Sequence, residues 1–328
     1  MALAPSGEAP VSAPRARALD AVHRGELAAA AATDAVRARV LRATARRGPD
    51  RPVILAYHGV EDAAQLRRQV DEVAAHWTPI GLDHVLAAVR DGRSLPSDAV
   101  LLTFDDGRRS VLEDGLPVLE AAGVPAVLFV VAGVIGTEDP FWWDEVAHLS
   151  GGGGSTDVVI GAGGTDLVDA LKRVPDVDRR RALDDLRRTS AAGPLRTPQL
   201  RADDLRELEA GGIAIGNHSL THPILTQLDA TALRREVTES RVRLEEVLGH
   251  PVTAFAYPSG AGDGAVRDAV EAAGHDLAFA FDDRHGSFPP ADPFRISRKK
   301  ISTTAGLSRL GVLLGGREPR PTPRRRGD

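Results

Sequence analysis

Short apolar runs separated by amphipathic, charged stretches dominate the middle of the chain. Val53 to His58, Ala99 to Phe104, Pro125 to Val131, Ile213 to Ile215, Thr253 to Tyr257, Leu277 to Phe281 and Phe294 to Ile301 each read as a strand. Runs that are apolar on successive positions, not on alternate ones, are what strands covered on both faces require. Between them the spacing predicts helices over Ala63 to Trp77, Val85 to Val89, Leu112 to Ala122, Leu167 to Arg188, Ala202 to Ala210, Leu233 to Leu248 and Gly264 to Ala273. Strands alternating with helices imply an α/β fold with a parallel sheet and right-handed crossovers.

The flanks differ. Residues 1–50 form a Pro/Ala/Ser-rich start expected to be disordered, then an Ala- and Arg-rich segment with a weak helical pattern that stops at Gly48-Pro49. Residues 51–316 form the core domain, and 317–328, with three prolines and five arginines, form a tail expected to be disordered. Within the core, 150–164 is Gly-rich and reads as a flexible surface insertion.

Composition narrows the options. The 328 residues carry a net charge of −5, which gives no general affinity for nucleic acid. With no cysteine, disulfides, thiolate ligands and thiol nucleophiles are excluded. No stretch reads as a membrane span or signal-peptide core, so the expected location is the cytoplasm; oligomeric state is not legible.

Polar groups collect where apolar runs end, the place where catalytic side chains gather in parallel α/β folds. His58 ends the first run, Asp105 and Asp106 follow the second, and His218 and His222 follow Ile213 to Ile215. An Asp-Gly pair alone marks a turn, and a lone His pair caps or packs. Together, one carboxylate and two imidazoles form a three-ligand divalent-metal set with a position left open, and the second carboxylate is free to act as a base.

These segments carry a resemblance. Thr103-Phe104-Asp105-Asp106-Gly107, His218-Ser219-Leu220-Thr221-His222 and Phe255-Ala256-Tyr257-Pro258-Ser259-Gly260, in this order, resemble the three leading motifs of polysaccharide deacetylases of carbohydrate esterase family 4. Leu55-Ala56-Tyr57-His58-Gly59-Val60 is similar to the opening strand of the subgroup acting on N-acetylglucosamine polymers. The resemblance runs from about Pro52 to Ile301. It implies a distorted (β/α) barrel of about seven parallel strands. It also implies a metal, zinc first and otherwise cobalt, nickel, manganese or iron, held by Asp106, His218 and His222. Asp105 is then the base, the backbone N–H at Ser259 an oxyanion donor, and an N-acetylated saccharide the substrate.

Two departures stand out. The third motif of the family carries an arginine that orients the base; here that position is Ala256, and Arg295 or Arg298 is the expected substitute, one of the two facing inward by strand alternation. The family's late histidine acid is missing, which leaves His58 as the candidate acid or, alternatively, a core histidine. Trp142 and Trp143 read either as a sugar-stacking platform or as anchors of the Gly-rich insertion. A small-amide hydrolase and a non-catalytic saccharide-binding module are the competing functions.

Overall fold

The computed structural model describes residues 52–315, apart from 160, 162 and 283–287. The proposed start (1–50) and tail (317–328) lie outside these residues. In chain order the elements are β1 (Val53–Tyr57), α1 (Ala63–His76), β2 (Thr78–Pro79), α2 (Leu82–Asp91), β3 (Ala99–Phe104), α3 (Leu116–Ala122) and β4 (Ala126–Val130). There follow α4 (Trp142–Gly151), α5 (Thr165–Leu171), α6 (Asp176–Thr189), α7 (Ala202–Ala210), β5 (Ile213–Asn217), α8 (Ala230–Leu248), β6 (Ala254–Ala256), α9 (Gly264–Ala272), β7 (Leu277–Phe281) and β8 (Ile296–Lys300). Two compact units divide the chain, one spanning Arg47–Ala305; the described part of the other includes a short helix, α10 (Leu307–Gly315).

All the strand pairings are parallel, and β1 pairs with both β3 and β8, so β1, β3, β4, β5, β6, β7 and β8 close into a ring. Two-residue β2 lies outside it, paired to Ala99 and Val100 of β3. This is the α/β barrel of seven strands that the resemblance implies, built from the parallel sheet that the alternating pattern predicts.

Alternation along each strand sorts the side chains. Ile54, Leu101, Val127, Phe129, Ala254, Ala256, Leu277, Phe279 and Ile296 pack into one buried interior cluster. Outward residues Phe255, Tyr257, Ala278 and Ala280 instead pack on Leu233 and Val237 of α8 and on Val266 and Val270 of α9. Continuing the inward rows past the strand ends brings His58, Asp105 and His218 to one mouth.

Three segments differ from the pattern-based reading. The helix expected from Leu112 begins with a π-helical turn, Val111–Gly115, before α3. The stretch Leu167 to Arg188 is two helices, because Pro175 has no N–H to continue a helix and instead opens α6. Residues α4, α5 and α6 bury their own cluster, including Val146, Leu149, Leu171, Ala182 and Leu186, so the charged stretch covers a small core of its own. The described part of the Gly-rich segment is tied to that unit: Gly152 accepts from Ala191 N–H, and Ser155 N–H donates to Thr189.

Candidate active site

A cavity of about 640 Å³ opens at the mouth of the barrel, lined among others by His58, Asp105, Asp106, His218, His222 and Ser259. The six residues given metal-binding or catalytic roles from the sequence therefore meet in one place. Four of them or their neighbours share a further property. The described non-glycine residues with left-handed backbone are Asp106 (φ 73°), Ser219 (φ 68°), His222 (φ 57°) and Ser259 (φ 55°). Each such conformation costs of order 1–3 kcal/mol, and strain of this kind is kept where surrounding bonds over-determine it.

Those bonds are present around His218 and His222. Ser219 N–H donates to Asn217 Oδ1 at 3.0 Å, and His222 N–H donates to Ser219 Oγ at 3.0 Å. Buried Glu236 of α8 accepts from Leu220 N–H, Thr221 N–H and the Thr221 hydroxyl at 3.0, 2.8 and 2.6 Å. Glu236 and Asn217 were not singled out in the sequence. The signal was there: Leu233, Glu236, Val237, Ser240 and Leu244 form the buried stripe of α8, and an acid in an apolar stripe needs a partner.

Asp106, His218 and His222 present ligand atoms that all lie within 4.8 Å of one another, and all three residues are buried. His218 Nε2 and His222 Nε2 each stand 3.6 Å from Asp106 Oδ1. That is too long for a hydrogen bond but close to the separation of two ligands bonded at ~2.0–2.2 Å to one tetrahedral ion. His218 Nδ1 meets the Ala256 carbonyl at 2.8 Å, which places the proton on Nδ1 and turns the Nε2 lone pair toward Asp106. Burial lowers His218 to about 4 and, with His218 beside it, holds His222 well below the usual imidazole range; both rings are neutral, as metal ligands must be. Burial, then the Asp105 charge, pushes Asp106 up to about 7. The donor set thus fits a divalent cation, which would relieve the crowded carboxylate.

Asp105 behaves oppositely. Burial disfavours its charge, but the Arg298 guanidinium outweighs that and holds it below the ordinary carboxylate value. Arg298 is fully buried inside the barrel and grips Asp105 with both arms, at 2.6 and 2.9 Å. Its Nη1 also donates to Thr103 Oγ1 at 3.1 Å. Three rings surround it, with Phe129 5.2 Å, Phe281 5.4 Å and Phe279 5.9 Å from the guanidinium carbon. Gly216 makes space beside Phe129, since a Cβ there would sit 2.5 Å from its ring. Of the two candidate arginines, Arg298 therefore points inward and Arg295 is exposed. Ala256 faces the same interior cluster, so the guanidinium enters from β8 where the family's motif supplies it from β6.

His58 is exposed to the cavity, with Phe281 6.1 Å away between ring centres, and is not a core histidine. Desolvation in the cavity lowers it below its ordinary value against the pull of Asp105. Ser259 sits in a turn that needs Gly260: at φ 69°, a Cβ on Gly260 would lie 2.1 Å from Phe281 Cβ. Trp142 and Trp143 pack against the cluster of α4 to α6, and Trp143 also lines the cavity. Arg108, Lys300 and Phe281 also line the cavity, without having been marked in the sequence as site residues.

The profile of the polysaccharide deacetylases matches residues 92–278, more than half of the chain. The chain belongs to the polysaccharide deacetylase family. Members of this family are hydrolases of carbon–nitrogen bonds. β1 with His58 and β8 with Arg298 lie outside the matched span, so a family comparison alone does not reach either residue.

A poly-β-1,6-N-acetyl-D-glucosamine N-deacetylase of Escherichia coli K12 is 34% identical over 87 residues, covering 23% of this chain and 13% of that protein. The match thus spans a small part of that relative's length. The fold resembles that of a Streptococcus pyogenes deacetylase, PplD, solved with acetate (TM-score 0.57, 16% identity, 83% of this chain and 100% of that one). It also resembles IcaB from Ammonifex degensii (TM-score 0.57, 18% identity, 81% of this chain and 97% of that one). Among the described residues no helix is long and apolar enough to cross a membrane.

Proposed function

We propose that this polysaccharide deacetylase is a divalent-metal-dependent N-deacetylase of a saccharide built from N-acetylglucosamine-type units. The observation that carries the reading is the pairing of two adjacent carboxylates in opposite states: Asp105 kept ionised by Arg298, and Asp106 converging with His218 and His222. The family membership and the E. coli relative's substrate support the saccharide.

Asp106, His218 and His222 would hold the ion. When bound, a divalent cation supplies Lewis acidity and an acidified water. Asp105 accepts the proton of the attacking water as its oxygen bonds to the acetamido carbon. The Ser259 N–H donates to the acyl oxygen as negative charge develops on it. The proton that Asp105 took from the water passes on to His58, which delivers it to the nitrogen as the C–N bond breaks, and the products are acetate and a free amine. His58 is neutral at rest; charge developing on the acyl oxygen raises its proton affinity during the reaction.

Acetate release from N-acetylglucosamine oligomers tests this. Protein stripped of metal should be inactive, and reloading with zinc or cobalt should restore release. No release with either metal, from folded and loaded protein, would refute the substrate class.

A further inference from the structure

His218 and His222 are held in different ways. His218 has its ring aimed by a hydrogen bond from Nδ1 to the Ala256 carbonyl. His222 Nδ1 is buried with no hydrogen-bond partner among the described residues. Its aim must therefore come from its backbone, which is left-handed at φ 57°, and from what packs on the ring. The insertion between β4 and β5 contributes to both. Trp142 Nε1–H donates to the His222 carbonyl at 3.2 Å. Trp143 meets the His222 ring edge-on, with ring centres 4.6 Å apart. Trp142 is in turn clamped from behind: the guanidinium carbon of buried Arg179, on α6, lies 4.5 Å from the centre of its ring, and Arg179 is paired to Asp176. The His222 N–H itself donates to Ser219 Oγ within the loop, and Glu236 of α8 holds the Leu220–Thr221 turn just before it.

We propose that Trp142 is a positioning residue for His222: through its N–H, the helical insertion fixes the backbone that aims His222 Nε2 at Asp106. The insertion is then a working wall of the site. Arg179 and Trp142 do for His222 what the Ala256 carbonyl does for His218. A ligand whose ring nitrogen lacks a partner loses its aim when its backbone is released, so geometry at the ion should change before the fold does. The inference rests on the metal-binding reading above.

The test uses the full chain, with Trp142→Phe as the variant. Phenylalanine keeps an aromatic face for Arg179 while removing the N–H together with part of the ring, and the Tm of the metal-free protein reports the lost packing. Arg187→Ala is the control, since Arg187 pairs with Glu145 on the exposed side of the same insertion. Zinc affinity, the visible spectrum of the cobalt-saturated protein and the Tm of the metal-free protein are measured together. Loss of one hydrogen bond corresponds to roughly five-fold weaker zinc binding in Trp142→Phe. With it should come an altered cobalt spectrum, and Arg187→Ala should match wild type in both. Wild-type zinc affinity in Trp142→Phe would overturn the proposal. So would a cobalt-saturated spectrum identical to wild type, even with a lowered Tm, because that marks a structural role alone. If wild type itself binds neither ion, the metal reading fails, and this inference falls with it.

Discussion

Arg298 closes on Asp105 from inside the barrel, each guanidinium arm meeting one carboxylate oxygen, and no water reaches either side chain in bulk: their exposures are 0% and 2%. A planar fork matched to a carboxylate is the strongest form of such a pair. It leaves Asp105 charged, oriented and unable to turn away from the cavity. Its counterpart Asp106, one residue on, has no such partner; Arg108 is 3.9 Å away and is committed to Asp144 at 3.1 Å.

Removing the arginine should be costly twice over. Arg298→Met leaves a buried carboxylate without its counter-charge, worth about 3–5 kcal/mol of stability, readable from urea unfolding. In Arg298→Lys the charge stays but the fork is lost. Acetate release should fall roughly 100-fold or more, and its acid limb should move to higher pH, because burial of Asp105 is then less well opposed. An unchanged pH profile in Arg298→Lys would show that the pair does not set the state of Asp105.

The guanidinium should be transferable between strands. Ala256→Arg alone puts a second cation into a filled interior and should destabilise by about 1–3 kcal/mol or more. Combined with Arg298→Ala it should cost less than the sum of the two single changes. A double-mutant cycle on unfolding free energy measures this; strict additivity would mean that the two positions do not address the same space.

Metal binding should release a proton below neutrality. Asp106 in the ion-free site titrates at about 7, above its ordinary value, because of burial and then the Asp105 charge. Below that pH the carboxyl is protonated and the incoming ion must displace the proton; above it nothing is displaced from Asp106. Zinc affinity should therefore fall up to ~10-fold per unit as pH drops below 7, with the Asp106 share of the proton release approaching one at pH ~6 and fading above pH ~8, where the acidified water supplies the rest. Calorimetry in buffers of different ionisation enthalpy gives the count.

Glu236 should matter without touching the ion. Glu236→Ala removes three hydrogen bonds from the Leu220–Thr221 turn between the two histidines. Zinc affinity should weaken about 10-fold or more, as expected when support behind a ligand is lost. Glu236→Gln keeps an oxygen acceptor and should recover much of this. Equal losses in both variants would indicate that the negative charge, not the geometry, supports the turn.

Much of this architecture is legible in the chain, for physical reasons. Strands covered on both faces are unbroken apolar runs, so β1, β3 and β7 stand out; His58 and Asp105 lie one residue beyond the first two, and β7 ends on the cavity-lining Phe281. Asp105, Asp106, His218 and His222 are visible because unlike ligands recur at strand ends. Where the pattern is short it is silent: β2 has two residues and is defined by its pairing to β3. Pro175 divides α5 from α6, yet the charge periodicity runs on across it. The choice between Arg295 and Arg298 depends on strand register, and only Arg298 shares the inward row with Ile296. The bond from Trp142 to His222 joins positions 80 residues apart, which no local spacing encodes.

The most direct measurement compares wild type with Asp105→Asn, recording zinc content and acetate release on the same samples. If Asp106, His218 and His222 hold the ion and Asp105 is the base, Asp105→Asn should keep about one zinc per chain and lose acetate release by roughly 1,000-fold or more. Acetate release at the wild-type rate from zinc-loaded Asp105→Asn would contradict the account.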